Sequence, residues 1–197
     1  VANWHGYPPV EWNGTWFHGK GEEFAKLVDV PRSVPAPIEV ATHAADHAAE
    51  IEPFRAAGWQ FTEARAVCDS MDAFEAYVRG SSAEFSPAKG GYVVSRAGWT
   101  SDRTSAYLAS GRPAVIQDTG FGSDLPTGEG ILTFTNADEA AASCRAVLAD
   151  FPAHQRAARR IAEQYLATDV VIPGLLARLG IEPWHARASR SGAFRPW

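Results

Sequence analysis

Two polar loops, one on each side of a predicted helix and strand, carry the side chains best suited to binding an anion. The first loop opens at Gly98 and leads into a helix whose first turn contains Arg103. The second, Asp118-Thr119-Gly120, directly follows the apolar run Ala114-Val115-Ile116. An arginine in a first turn is poorly placed for the helix dipole, so its position invites an anion or a carboxylate partner. Because ligands of open α/β sheets bind beyond the carboxyl ends of strands, a phosphate-bearing ligand is the natural candidate.

The helix and strand between these loops have clear sequence signals. Ser101 or Asp102 is the predicted N-cap, since a short side-chain oxygen can accept from the free amides of a first turn. Tyr107 and Leu108 give the helix an apolar side, and Gly111 ends it in the manner of a C′ glycine. The short β-rich run that follows is expected of a strand covered on both faces.

Composition limits the partners of such a site. The chain has 197 residues, 46% of them hydrophobic, which suffices for the core of one large domain. Its formal net charge of −5 provides no broad cationic field, so we expect no nucleic-acid partner. Any contact with phosphate must therefore be local.

The cysteines and apolar runs predict a cytoplasmic protein without membrane insertion. Cys68 and Cys144 lie far apart, and no secretory leader or long apolar run is evident, so two reduced thiols are the simplest interpretation. A disulfide between them stays open. The first residues, Val1–Trp4, are predicted to lie already inside a strand, which suggests a domain cut from a longer chain.

The remainder of the chain alternates between strand-like and helix-like patterns. Strands are predicted at Ile38–Ala41, Trp59–Thr62, Glu84–Ser86 and Ile131–Phe134. Helices are predicted at Glu22–Val28, Asp46–Ala57, Ser70–Arg79, Asn136–Asp150, Pro152–Leu166 and Val170–Leu179. Strands separated by such helices favour βαβ units, so the expected fold class is α/β, with a parallel sheet flanked by helices.

Two segments show neither the helical nor the strand period of apolar residues, and a third segment is short. The proline- and aromatic-rich segment Tyr7–Phe17 is predicted to be an ordered loop, and Tyr92–Val94 a short extended piece. After Gly180 the chain becomes rich in Arg, Ser and aromatic residues. We therefore expect one domain over residues 1–180 and a tail or docking segment over residues 181–197.

A series of motifs stands in a recognisable order along the chain. It comprises Gly19-Lys20-Gly21 with Glu23-Phe24, Glu84-Phe85-Ser86-Pro87-Ala88-Lys89, Ser101-Asp102-Arg103, Tyr107-Leu108-Ala109-Ser110-Gly111-Arg112-Pro113, Gln117-Asp118-Thr119-Gly120-Phe121 and Leu125-Pro126-Thr127-Gly128-Glu129-Gly130. In this order the motifs resemble the carboxyl-terminal half of a bacterial GT-B glycosyltransferase of the retaining group 1 and family 4 type. The resemblance covers most of residues 1–180.

The resemblance implies a Rossmann-like domain that binds a nucleotide sugar, with roles for several residues. Such enzymes neutralise the donor diphosphate with a Lys or Arg and loop amides rather than an obligatory metal, so no cofactor is expected beyond the nucleotide-sugar substrate. Lys20 and Arg103 would face the diphosphate, because a cation aimed at developing leaving-group charge lowers the barrier. The other implied donor contacts are Gly98, Trp99, Thr100, Ser101, Asp102, Thr119, Gly120, Phe121 and Glu129.

One departure from the family pattern concerns ribose recognition. The family often carries two glutamates a fixed distance apart, and an ungapped match places Gly98 and Ala106 at those positions. Asp102 and Arg103 lie between these two positions, so their place in the sequence alone makes them candidates to replace the glutamates.

Two classes of function remain open at this point. In the first, the chain is the donor-binding half of an enzyme that transfers a hexose to an acceptor held by an amino-terminal domain or partner chain. The isolated chain would then bind nucleotide weakly, with no catalytic residue assigned within it. In the second, it is a binding or interaction module whose aromatic loop serves as a protein interface. A nucleotide-sugar epimerase on the same scaffold is a weaker third hypothesis.

Each assigned residue also has a purely structural interpretation. Lys20 can be a solvated lysine at a helix start, Asp102 a cap alone, and Glu129 a turn residue. Trp99 and Phe121 can seal a core rather than stack on a ligand. The donor site requires that the loop ahead of Arg103 and the loop holding Thr119 lie together, and burial of Arg103 in an internal carboxylate pair would count against it.

Overall fold

The structure of the chain is a computed structural model that describes residues 7–43 and 48–181. The strand predicted at Val1–Trp4 lies outside these ranges, as does the tail predicted at 181–197 except for its first residue. The described chain begins with an antiparallel hairpin of β1 (Val10–Trp12) and β2 (Thr15–Phe17).

The prediction of an ordered loop over Tyr7–Phe17 is therefore wrong from Val10 onward, where the hairpin lies. Asn13 and Gly14 connect the two strands, with φ values of 50° and 74°. An Asn-Gly pair with both φ angles positive makes the tight turn whose twist matches that of a hairpin. The prolines that obscured the pattern precede the first strand.

Parallel strands form the rest of the β-structure. The pair β3 (Glu39–Thr42) and β4 (Gln60–Glu63) is parallel. The strands β5 (Glu84–Ser86), β6 (Ala114–Gln117) and β7 (Ile131–Phe134) form a second parallel sheet in that order. This arrangement confirms the α/β class and is consistent with a Rossmann-like fold.

Helices follow these strands along the chain. They are α1 (Lys20–Ala25), α2 (Ala48–Ala56), α3 (Ala64–Cys68), α4 (Met71–Gly80), α5 (Gly90–Val94), α6 (Asp102–Ala109), α7 (Ala137–Ala149), α8 (Phe151–Ile161) and α9 (Thr168–Arg178). Residues 162–166 add a π-helical turn after α8, and 3₁₀ turns occupy Val30–Ser33 and Phe121–Ser123. The extended piece predicted at Tyr92–Val94 is wrong, because these residues lie in α5. None of the helices within the described ranges is long and apolar enough to cross a membrane.

A row of aromatic side chains joins the two parallel sheets. The ring centroids of Phe24 and Trp59 lie 5.9 Å apart, those of Trp59 and Phe85 5.6 Å, and those of Phe85 and Phe134 5.5 Å. Phe85 belongs to one parallel sheet, whereas Trp59 directly precedes the first strand residue of β4 in the other. Since edge-to-face and offset aromatic pairs are favourable beyond the area they bury, this row holds the sheets in one core.

The turn before β7 contains two glycines, and substituting each of them tests how closely this turn packs on α8. Gly128 and Gly130 both have positive φ, 102° and 74°. A Cβ at Gly130 would lie 2.5 Å from the amide nitrogen of Ala158, whereas a Cβ at Gly128 would meet no atom within 4 Å.

We expect Gly128→Ala to lower the free energy of unfolding by about 1 to 2 kcal/mol, the cost of left-handed backbone for an L-residue. Gly130→Ala should cost about 1 to 3 kcal/mol more, because the added methyl collides with the backbone of α8. Denaturant unfolding of both variants measures the difference. Equal losses would contradict the close contact between the turn and α8.

Candidate functional site

The two loops predicted to form the site lie together at the carboxyl end of β6. The amide of Gly98 donates to the carbonyl of Thr119 at 2.8 Å. The hydroxyl of Thr119 donates in turn to the carbonyl of Trp99 at 2.6 Å. These two bonds join the loop ahead of α6 to the loop that follows β6.

The residues of the second loop face inward. Thr119 is completely buried, and Phe121 is 1% exposed in a core cluster with Leu108 and Ile116. A Cβ at Gly120 would lie 3.2 Å from the carbonyl oxygen of Arg96. Phe121 therefore seals a core, as its purely structural interpretation predicts. Thr119 and Gly120 are likewise packed against neighbouring residues.

The first loop is more accessible. Gly98 is exposed, with open space around the position of a Cβ, and Thr100 is half-buried. Trp99 is half-buried and stacks on Tyr92 of α5, with ring centroids 4.9 Å apart and planes 24° from parallel. The indole of Trp99 is thus held in place by an aromatic neighbour that the sequence did not single out.

The amino terminus of α6 is capped by its own side chains. The hydroxyl of Ser101 and the carboxylate of Asp102 both accept from the amide of Arg103, at 3.2 and 2.9 Å. These contacts confirm Ser101 as the N-cap, with Asp102 reinforcing it. The amide of Arg103 is already satisfied within the helix.

Arg103 has a carboxylate partner. Its position in the first turn of the helix predicted either an anion or a carboxylate. Its Nε donates to Glu84 Oε1 at 2.8 Å, and its Nη2 donates to Ser86 Oγ at 2.8 Å. The side chain of Glu84 is 2% exposed and that of Arg103 is 33% exposed. The guanidinium is therefore fixed on its inner side by β5 while its outer side remains at the surface.

Lys20 is the most perturbed cation of the site. It is 7% exposed at the start of α1, so the interpretation as a solvated lysine does not hold. Burial, with the positive charge of Arg103 as the next contribution, lowers the pKa of Lys20 to about 8. Glu84 opposes this shift and Lys89 adds to it. Three cations and one carboxylate thus act on one another, with positive charge in excess.

A buried polar network holds the segments that carry these cations. The amide nitrogen of Gln117 donates to Glu23 Oε2 at 2.7 Å, and the oxygen of Gln117 accepts from the backbone of Ala88 at 3.0 Å. The network links α1, which carries Lys20, to the end of β6 and to the loop preceding α5. Because all these groups are buried, each bond is needed to offset the cost of desolvation.

Glu129 lies away from the other predicted residues. It stands two positions before Ile131, which pairs with Ala114 at the start of β6, so it is at the amino ends of the strands. Its side chain is 71% exposed, with a carboxylate oxygen 3.7 Å from Nη2 of Arg160. The parallel direction of the strands therefore separates Glu129 from the loops at their carboxyl ends.

The described residues offer charge neutralisation as their chemistry. Lys20 and Arg103 are the cations that interact at this edge of the sheet, and the half-buried Trp99 belongs to the loop ahead of α6. No group of three His, Cys, Asp or Glu side chains within the described ranges is arranged to hold a metal ion. No local signal predicted the buried contacts of Glu23, which resembled a first-turn acid of α1.

Comparisons with known proteins identify no relative of this chain, so a functional assignment rests on the geometry described above. No family model, no curated protein and no solved structure matches the chain.

The lowered pKa of Lys20 predicts a dependence of stability on pH. With a pKa of about 8 when folded and an ordinary value of 10.5 when unfolded, the unfolded chain binds more protons between these values. The free energy of unfolding should therefore rise with pH from about 7.5 to 8.5, by at most about 1.4 kcal/mol per pH unit.

Denaturant unfolding at several pH values tests this slope. Lys20→Met should remove it, whereas Arg178→Met should retain it, because Arg178 is exposed at the end of α9. The range stops at about 8.5 because the raised pKa values of Cys144, Tyr77 and Tyr107 act in the opposite direction at higher pH. A slope that persists in Lys20→Met would contradict the shift.

Proposed function

We propose that this chain is the donor-binding half of a glycosyltransferase, which holds a nucleoside-diphosphate sugar with its diphosphate near Lys20 and Arg103. The observation that carries the proposal is the buried Lys20, whose pKa is lowered beside two further cations. Uncompensated positive charge of this kind is stabilised by an anionic ligand.

Arg103 is paired with the buried Glu84, the arrangement that counts against a donor site, but one-third of the Arg103 side chain stays exposed. The bonds to Glu84 and Ser86 use two of the five N–H donors of the guanidinium. The remaining donors have no hydrogen-bond partner among the described residues, and one-third of the side chain is exposed. Glu84 thereby orients the guanidinium, and the free donors can bind a phosphate oxygen.

The proposed reaction is transfer of a hexose, for which this chain supplies donor binding. As the glycosidic bond breaks, negative charge develops on the departing diphosphate, and fixed cations stabilise that charge. The acceptor would be held by an amino-terminal domain or a partner chain. We place the protein in the cytoplasm, where a reducing environment suits its two free cysteines, Cys68 and Cys144.

Calorimetric titration with UDP, GDP, dTDP and inorganic pyrophosphate tests the proposal. We expect at least one nucleotide to bind at pH 7.5, and Lys20→Met to weaken it by about tenfold or more, equivalent to ~1.4 kcal/mol. Arg178→Met, on the exposed carboxyl end of α9, is the control that removes one positive charge away from the site, and it should bind as the wild type does.

The pH dependence of binding gives a second, sharper readout. Wild-type affinity should fall between pH 7.5 and 9.5 as Lys20 loses its proton, since its pKa is about 8. Lys20→Arg should retain affinity at pH 9.5, because a guanidinium stays protonated. Failure of every nucleotide to bind at millimolar concentration, or equal binding by Lys20→Met, would overturn the donor-site proposal.

An interaction module is the second candidate, and the hairpin favours it. Val10, Trp12 and Trp16 are 52%, 69% and 48% exposed. Aromatic side chains are enriched at protein interfaces, and a cluster of them on a hairpin is a plausible contact surface. A chain with this role alone would bind none of the nucleotides in the titration.

A further inference from the structure

The segment that carries Lys89 is bonded directly to the segment that carries Lys20. Lys89 is the residue before α5, and Lys20 is the first residue of α1. The amide of Gly90 donates to the carbonyl of Gly19 at 3.4 Å. Each lysine is thus the chain neighbour of one residue of this bonded pair. The two lysines are therefore close in space although they are far apart in the sequence.

The close approach of these two segments depends on the absence of a side chain at position 90. A Cβ at Gly90 would lie 3.1 Å from Glu23 Oε1 and 3.2 Å from both the Cβ and the carbonyl oxygen of His18. These distances are shorter than ordinary van der Waals contacts, so any other residue would push the segments apart. The glycine therefore permits the packing that brings the lysines together.

The ammonium group of Lys89 is held by aromatic rings rather than by a carboxylate. Its Nζ lies 5.5 Å from the ring centroid of Tyr7 and 5.8 Å from that of Tyr92. In the part of the chain that the structure describes, no carboxylate lies within ion-pair distance of this Nζ. An aromatic face attracts a cation without neutralising its charge. Lys89 is therefore fixed in position while its positive charge is retained.

The charge of Lys89 acts on Lys20. Burial lowers the pKa of Lys20 most, the positive charges of Arg103 and Lys89 lower it further, and Glu84 raises it. Two ammonium groups placed in this way repel each other, because each disfavours the charged form of the other. An anion bound between them would remove this repulsion and stabilise both charged forms.

Starting from the proposed function, on which this step rests, we propose that Lys89 is a third ligand-binding residue of the donor site. One phosphate of the donor is bound between Arg103 and Lys20, and the other between Lys20 and Lys89. Lys20 is the middle cation because it interacts with each of the other two. Arg103 is fixed by its bonds to β5, and Lys89 is fixed by the two tyrosine rings. The site therefore prefers two linked phosphates to a single one.

Calorimetric titration with a nucleoside diphosphate and with its monophosphate tests this preference at pH 7.5. The pair is UDP with UMP, GDP with GMP or dTDP with dTMP, according to which diphosphate binds the wild type. We expect Lys89→Met to weaken the diphosphate by about tenfold or more and the monophosphate by less than about threefold. Lys89→Arg should retain both affinities, because it retains the charge. Arg178→Met, which removes a charge at the exposed end of α9, should change neither.

The possible results separate the role of Lys89 from the donor site itself. If the wild type binds no nucleotide, the donor-site proposal fails and the role of Lys89 fails with it. If the wild type binds the diphosphate, a loss of less than about threefold in Lys89→Met overturns the role of Lys89 alone. An equal loss for diphosphate and monophosphate does the same. Lys89→Gln is the second variant if Lys89→Met does not fold.

NMR titration of the Lys20 ammonium group without nucleotide provides a readout that does not depend on the donor. The pKa of Lys20 is about 8 in the wild type. It should rise in Lys89→Met, because a neighbouring positive charge is removed, and should stay close to the wild-type value in Lys89→Arg. An unchanged pKa of Lys20 in Lys89→Met would overturn the placement of the two ammonium groups on either side of one phosphate.

Discussion

A single buried amide side chain fixes the geometry of the whole carboxyl edge. Gln117 ends the fully buried strand β6 and bonds both to Glu23 and to the backbone of Ala88. An amide at this point can donate and accept at once, which neither an apolar residue nor a carboxylate can do. Its two bonds set the positions of α1 and of the loop before α5, and with them Lys20 and Lys89.

The charges of the site follow from that fixed backbone. Lys20 is brought into the interior, where the positive charge of Arg103 lowers its pKa and the carboxylate of Glu84 raises it. The folded protein therefore tolerates an electrostatic cost that a flexible surface lysine would avoid by moving into water. Costs of this kind concentrate at functional sites, where a ligand can relieve them. Under the donor-binding proposal, relief of the electrostatic cost of burying Lys20 drives the binding of an anion.

Local signals predicted the elements of the fold well. The run from Ser101 to Gly111 specified a cap, an apolar face and a stop, and α6 forms there. Periodicity failed in short segments: Tyr92–Val94 is β-rich in composition yet lies in a single turn of helix packed on the hairpin. The hairpin itself was obscured by the prolines before it, although Asn13-Gly14 carried its turn signal.

The site was harder to predict because it depends on contacts distant in sequence. Arg103 could be recognised as needing an anionic partner, but nothing local identified that partner as Glu84, 19 residues earlier. Glu129 shows the opposite failure. Its place between two glycines resembled a ligand-binding turn, yet the direction of β7 puts it at the other end of the sheet.

The short helix α5 has a mechanical consequence. Tyr7 and the hairpin lie against its first turn, where Gly91 leaves space that a methyl group would fill, 2.6 Å from the Tyr7 hydroxyl oxygen. Tyr92, the next residue, stacks on Trp99. The indole of Trp99 and the side chain of Tyr7 therefore pack on adjacent residues of one helical turn, which ties the loop ahead of α6 to the segment that leads into the hairpin.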